Sequence, residues 1–250
     1  MKARELVLTT WNLQKCVGMD LRRNPGRTLD VLADTGAQLA VLQEVDKRLP
    51  PRPAALPREM VRAAGWSVLD FSPLGPGGPS LGWHGNTMLT RPGIGVISLH
   101  RLDLPGFEPR GAIRAELDTP LGPLRVIGTH LGLRRRDRLR QLHALSQMLE
   151  RLNDRPTVLA GDVNEWRSIT TLGHAIRQLR FLDSPPSYPA PRPLGALDRI
   201  ALSPHLSATR PKVHTAQPAR IASDHLPLVT TLRTTGPADC NVLSDRNPEG

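Results

Sequence analysis

The residues of this chain that could do chemistry stand singly, each beside a short apolar run. Pro156 to Trp166 reads PTVLAGDVNEW, in which Thr157-Val158-Leu159-Ala160 has the look of a strand buried on both faces. It stops at Gly161-Asp162-Val163-Asn164, which sets a carboxylate and an amide two residues apart at a strand end. A glycine there lets backbone approach closely, and a carboxylate just past a buried strand is poorly placed for stability alone. An Asx turn leading into a helix would use the same letters. The pattern recurs, however. Asn12 follows Leu6–Trp11, Glu44 follows Leu39–Gln43, His130 closes Leu124–Thr129, and Asp224-His225 precedes Leu226–Leu232. Asp198 lies inside the run Leu197–Leu202, where a carboxylate needs a partner. His225, at the start of a later strand, can supply it, whereas Arg199 points to the opposite face. Alone, Glu44 reads as a solvated loop acid and His130 as a structural histidine. As a set, acids, amides and imidazoles are groups that hold cations and move protons.

The elements that must position them are many short strands with helices interspersed. Asn24-Pro25 opens a helix with Pro25 at its first position and Gly36 closing it. Residues 49–57 are a proline-rich connection, Arg58–Ala64 a short helix, and Trp66–Phe71 a strand. The loop Ser72–Gly85, rich in Pro and Gly, is of the kind that rims a site. Strands are predicted at Asn86–Thr90 and Ile94–Ile97, then a hairpin from Ala112–Leu117 to Leu124–Thr129. Leu139, Leu142, Leu145, Leu149 and Leu152 mark one face of a long helix, with arginines at 134, 135, 136, 138 and 140 over its start and outer side. Cations at a helix start oppose the dipole, so this cluster reads either as a solvated face or as a contact for an anion. A short helix carries Leu172, Ile176 and Leu179, and a second proline-rich loop spans Ser184–Gly195. Residues 234–250 lack periodicity and read as a disordered tail after a domain spanning 1–233.

Composition bounds what such a chain does. At 250 residues it can bury a sizeable core, and 39% hydrophobic with 22% charged residues is ordinary for a globular protein. No run of 18 apolar residues exists to span a membrane. Met1–Leu6 passes straight into a strand, with no apolar segment and cleavage site of an export signal. Cys16 and Cys240 form no framework or metal spacing and fit a reducing cytoplasm. A net charge of +10 invites a nucleic-acid reading. Yet only Lys2, Lys15, Lys47 and Lys212 are lysine and prolines number 25, a skew that also fits genome-wide composition bias. Aromatics at 3% leave few platforms for bases.

No single dipeptide here is specific, but their order is. From Trp11-Asn12 through Gln43-Glu44, Gly128-Thr129-His130, Gly161-Asp162-Val163-Asn164 and Leu197-Asp198-Arg199-Ile200 to Ser223-Asp224-His225, the chain resembles the endonuclease/exonuclease/phosphatase superfamily over residues 5–233. His130-Leu131-Gly132-Leu133 and Asn164-Glu165-Trp166 look most like a bacterial group of unassigned substrate. Where some relatives carry His in the first motif, this chain has Gln14. The resemblance implies an α/β fold, two packed mixed β-sheets flanked by helices in four layers, with strand ends meeting at one cleft. It implies a metal-dependent phosphoesterase using Mg²⁺ or Mn²⁺, held by the hard oxygen donors of Asn12 and Glu44 with Asp224 in a second contact. By the same resemblance Asp162 orients or activates water, Asn164 holds that water or a phosphate oxygen, His130 bonds the phosphoryl oxygen, and His225 faces the phosphate, oriented by Asp198. Asn86 and Arg134 are assigned to substrate contact. The partner is a phosphate ester on which a cytoplasmic monomer acts. Nucleic acid, inositol phosphate and phospholipid head group stay open, because this fold carries all of them. A second reading is a basic nucleic-acid-binding protein that keeps the fold without catalysis.

Overall fold

The computed structural model describes residues 4–47, 51–75 and 77–235. Along the chain run β1 (Leu6–Asn12), α1 (Pro25–Asp34), β2 (Leu39–Gln43), α2 (Arg58–Ala63), β3 (Ser67–Leu69), β4 (Thr87–Thr90) and β5 (Gly95–Leu104). There follow β6 (Arg110–Thr119), β7 (Gly122–His130), α3 (Arg135–Glu150), β8 (Thr157–Asp162), α4 (Thr170–Gly173), β9 (Arg180–Phe181) and β10 (Asp198–Leu202). The chain closes with β11 (Leu206–Ala208), β12 (Lys212–Val213), α5 (Ala219–Ala222) and β13 (Leu228–Thr234).

Two mixed sheets result. One has seven strands, ordered β11-β13-β1-β2-β4-β3 with β12 on β13; the other has six, ordered β5-β6-β7-β8-β10-β9. Their construction is alike: among the described strands each sheet has one parallel pair, β1 with β2 and β7 with β8, and antiparallel neighbours otherwise. Side chains alternate between faces with period two. Leu8, Leu39, Val41, Val126, Val158, Ala160 and Ile200 meet between the sheets. Ala40 and Leu42 turn outward with Trp11 onto α1, α2 and α5. Ile127, Leu159 and Ala201 turn outward onto α3 and α4. The four layers are therefore helices, sheet, sheet, helices, and they explain why β2 and β8 are apolar on both faces. The α/β sandwich expected from the sequence is the fold.

Local signals account for several boundaries. Asn24 caps α1, its side chain accepting from Arg27 N at 3.0 Å, with Pro25 in the first turn. Elsewhere the structure departs from expectation. β5 is a ten-residue strand rather than the short run Ile94–Ile97, mostly exposed at the sheet edge and bulged between Val96 and Ser98, so it lacks the apolar alternation of inner strands. The arginine cluster at the start of α3 also differs. Arg138 is buried in α3, donating to Glu165 Oε2 (3.1 Å) and to the Leu133 carbonyl (2.6 Å), and does not lie on a solvated outer side. Thr234, placed in the tail by its sequence, closes β13. The rest of the expected tail, with Cys240, lies outside the described residues, as does part of the 49–57 connection. Among the described residues no helix is long and apolar enough to cross a membrane.

Candidate active site

Strand parity carries the site residues inward. Asn12 continues the inward set of β1, His130 that of β7, Asp162 that of β8, and Asp198 opens the inward set of β10. Register then aligns three of them, with His130 opposite Asp162 in the parallel pair and Asp198 opposite Asp162 on the other side. The carboxyl ends of both parallel pairs lie at this edge of the sandwich, beside the first residues of β4, β6, β10 and β13. The crevice outside the carboxyl ends of parallel strands is where α/β sheets commonly bind ligands. Gly161 makes the close approach possible. Its φ is +154°, and a Cβ there would lie 1.9 Å from the Thr129 carbonyl oxygen.

Asp162 is the hub of the assembled cluster. Its Oδ2 accepts from Asn12 Nδ2 at 3.0 Å and lies 3.4 Å from His130 Nε2 and 3.7 Å from His225 Nε2, while its Oδ1 accepts from the Asn164 backbone at 3.0 Å. The same carboxylate thus gathers groups from both sheets. On the far side of His225, Nδ1 lies 2.8 Å from Asp198 Oδ2, which also accepts from Ser187 Oγ at 2.5 Å. Trp11 Nε1 donates to the His225 carbonyl at 2.8 Å, fixing the backbone. Asp198 is fully buried, so His225 and Ser187 are the partners its position required.

The two histidines beside Asp162 carry opposite protonation. Burial alone would lower the pKa of His225, but Asp198, Asp162 and Asp224 raise it to about 10, so its ring is an imidazolium. His130 is dominated by burial and falls to about 4, leaving it neutral near pH 7. Asn164, with φ +54°, sends Nδ2 to the Leu131 carbonyl at 2.9 Å and so ties the two strand-end loops together. Gln141 of α3 accepts from Gly132 N at 2.9 Å and steadies the turn after His130.

A cleft of about 390 Å³ opens beside the cluster, lined among others by Glu44, His130, Lys15, Arg110 and Lys47. Glu44 holds a left-handed backbone at φ +53°, uncommon for a residue with a Cβ, and is pinned there by Lys15 N donating to its carbonyl at 3.0 Å and by Val45 N to Gly85 O. Its carboxylate is ion-paired with Lys15 Nζ. Burial works to raise Glu44's pKa, but His130, Lys15 and the Asn12 amide together bring it below the usual range. Asp224 behaves oppositely, with burial first and the charge of Glu44 besides raising its carboxyl, against the pull of His225. Partly buried carboxylates close enough to repel, with the Asn12 amide beside them, form a donor set suited to a hard divalent cation. Among the described residues no three His, Cys, Asp or Glu converge tightly enough to hold a metal unaided. Mg²⁺ characteristically keeps several waters, so the donors fit such an ion.

The two residues expected to touch substrate lie differently. Asn86 is fully buried and spends Nδ2 on the carbonyls of Gly111 (3.0 Å) and Trp83 (3.2 Å). Arg134 stands before α3 with its guanidinium 4.1 Å above the Phe107 ring. Sequence reasoning overlooked Lys15, Ser187 and Arg110. Lys15 sits in a three-residue left-handed turn, Gln14 to Cys16, that no propensity signals, and Ser187 meets Asp198 only through the fold.

The sequence of the chain matches a model of the Endonuclease/Exonuclease/phosphatase family over residues 9–225. It is 31% identical over 159 residues to an uncharacterised protein of Escherichia coli (strain K12), YbhP, an alignment covering 59% of this chain and 62% of the relative. A crystal structure of an endonuclease/exonuclease/phosphatase from Beutenbergia cavernae superposes with a TM-score of 0.71 at 24% identity, covering 93% of this chain and 72% of that one. So does Danio rerio TDP2 complexed with a single-strand DNA product, with a TM-score of 0.71 at 16% identity over 92% and 99%. Shared fold and family match agree, and the strand-end residues sit where the family model spans them: this chain belongs to the endonuclease/exonuclease/phosphatase family.

Proposed function

We propose that the chain is a divalent-metal-dependent phosphoesterase that hydrolyses a phosphodiester. The observation that carries this reading is His225 set between Asp198 Oδ2 at 2.8 Å and Asp162 Oδ2 at 3.7 Å, at the edge where both sheets end. A binding protein has no use for a buried, charged histidine aligned on a carboxylate pair. Glu44, Asn12 and Asp224 are the residues that would hold Mg²⁺ or Mn²⁺. Bound there, the ion supplies positive charge that polarises the phosphoryl group and stabilises the leaving oxygen.

The remaining roles belong to the chain itself. Asp162, fixed by Asn12 and by the Asn164 backbone, is oriented to take the proton of a water as its oxygen attacks phosphorus and the ester P–O bond breaks. His225, an imidazolium held by Asp198, offers its Nε2 proton to the charge that develops on the phosphoryl oxygens. His130 is neutral and offers one N–H without adding charge beside the imidazolium. Lys15, Lys47, Arg52 and Arg110 line the cleft alongside Glu44, Asp46 and Glu108, and are the cations that an entering phosphate ester would meet. Hydrolysis of bis-p-nitrophenyl phosphate with Mg²⁺ or Mn²⁺, abolished by EDTA, is the expected result. A purified, folded protein inert with both ions would sink the reading.

A further inference from the structure

A file of three aromatic rings leads outward from the site. His225 packs against Tyr188 at 4.8 Å between centroids, and Tyr188 meets Trp166 edge-on at 5.8 Å and 88°. Trp166 is 61% exposed, whereas Trp11 and Trp66 are buried and Trp83 is half-buried. The exposed ring is nevertheless built in. A Cβ on Gly195 would come within 2.9 Å of its Cζ3, so the benzo ring lies against bare backbone. The residue before it, Glu165, is buried and gripped by Arg138 Nη2 at 3.1 Å, and it accepts from Arg167 N at 3.0 Å. Hence the tryptophan is presented at a fixed distance from His225 rather than left to swing.

The ring also has basic company. Arg135 comes within 3.7 Å of Glu165, and exposed Arg167 follows Trp166 directly. An exposed aromatic ring one ring removed from a phosphate-handling histidine, with arginines on the neighbouring surface, suits a planar base linked to phosphate. It suits a bilayer poorly: exposed Leu194 adds apolar surface, but Arg167, Ser168 and Thr170 alongside are polar and exposed. We propose that Trp166 is a stacking platform for a nucleobase of the substrate, which makes that substrate a nucleotide-containing phosphodiester. The proposal rests on the phosphoesterase reading for the meaning of the site, and adds its substrate class.

The test is a fluorescence titration of the full chain in EDTA, where nothing is hydrolysed. An eight-residue oligodeoxyadenylate should quench tryptophan emission, and an abasic oligomer of equal length and charge should quench little. Trp166→Ala should raise Kd for the oligodeoxyadenylate between about fivefold and about a hundredfold, the range of one stacked base. Gly195→Ala keeps the tryptophan but forces it off its seat, so it should weaken binding too, and circular dichroism establishes that both variants fold. Adenosine monophosphate competing as well as the oligomer would make a single nucleotide the ligand, within the same proposal. Equal affinity for abasic and adenine oligomers, or an unchanged Kd in Trp166→Ala, would overturn it. So would a blue shift of Trp166 emission on phosphatidylglycerol vesicles without response to bases. Hydrolysis of bis-p-nitrophenyl phosphate by the unaltered protein separates the two claims. Base-dependent quenching without that hydrolysis fails the enzyme reading alone, and hydrolysis without quenching fails the platform alone.

Discussion

The two flanks of the site are built on different principles. At the His225 flank every charged group already has its partner. Asp198 has His225 and Ser187, Asp162 has Asn12 and the Asn164 backbone, and all three ionisable groups are buried. At the Glu44 flank the carboxylate faces an open cleft, Asp224 has little beyond Ser223 Oγ at 3.3 Å, and the balancing cation is the flexible side chain of Lys15. The first flank is preorganised, which is what stabilising a transition-state charge demands. The second is open to solvent, and its charge is balanced by a single lysine.

Substitutions should therefore fail in different ways on the two flanks. The largest effect is expected at Glu44. Glu44→Ala should remove divalent-metal-dependent turnover almost completely and leave the melting temperature nearly unchanged, because its side chain lines an open cleft rather than a core. Calorimetry finding Mg²⁺ or Mn²⁺ affinity intact in that variant would exclude Glu44 from the ion site. On the other flank, Asp198→Asn should lower kcat by about two orders of magnitude or more, by analogy with losing an orienting carboxylate in other catalytic sites. His225→Ala should do likewise, and the double variant should be little worse, because groups acting as a unit are not additive. Proton NMR offers a readout independent of turnover. The His225 titration, held near 10, should move down toward the ordinary imidazole range in Asp198→Asn, since a raising charge has gone. Losses that multiply, or an unmoved titration, would mean that the two residues act separately.

The preorganised flank was also the more legible one in the sequence. Period-two alternation forces Asp162 to the same side as Val158 and Ala160, and Asp198 to the same side as Ile200, so an acid at that parity must lie between the sheets. The need for a partner follows from burial, and His225 is the group whose strand begins at the same edge. Lys15 offered no such logic. Its contact depends on positive φ at Gln14, Lys15 and Cys16, which residues with a Cβ adopt only when surrounding structure compels them. Arg138 misled for a related reason. In a row of helical arginines nothing local distinguishes the one whose partner, Glu165, comes from a loop 27 residues on. Edge strand β5 runs longer than its sequence signals because exposed edges lose the alternation that marks inner strands.

Arg138 extends the comparison from charge to stability. Its pairing with Glu165 is buried on both sides, so removing one partner strands the other, at a cost of roughly 3 kcal/mol. Arg138→Gln should lower the melting temperature by several degrees, whereas Arg136→Gln, on the exposed face of the same helix, should leave it within experimental error. Equal melting temperatures would show that Glu165 is satisfied by Arg135 and the Arg167 backbone alone.

The smallest effect is the most discriminating, because Lys15 is where the two flanks differ most. Its side chain and that of Glu44 are 31% and 27% exposed, so the pair is partly screened and worth on the order of 1 kcal/mol or less to the fold. On the proposed assignment of Glu44 to a divalent cation, however, the ammonium is a competitor that would occupy the carboxylate and repel the ion. Lys15→Gln removes the charge while keeping a polar side chain. Metal-free protein should melt slightly lower, since Glu44 then repels Asp224 without a counter-charge. Affinity for Mn²⁺ by calorimetry should rise by about threefold to tenfold, the equivalent of about 1 kcal/mol. The gain should shrink at high salt, where screening already weakens the repulsion. At the same time KM for a phosphodiester should increase, because the cleft loses one of its cations. A variant that binds Mn²⁺ more weakly would reverse the assignment. Lys15 would then be the clamp that holds Glu44 in its left-handed turn for the ion, and the Glu44 flank would be as preorganised as the other.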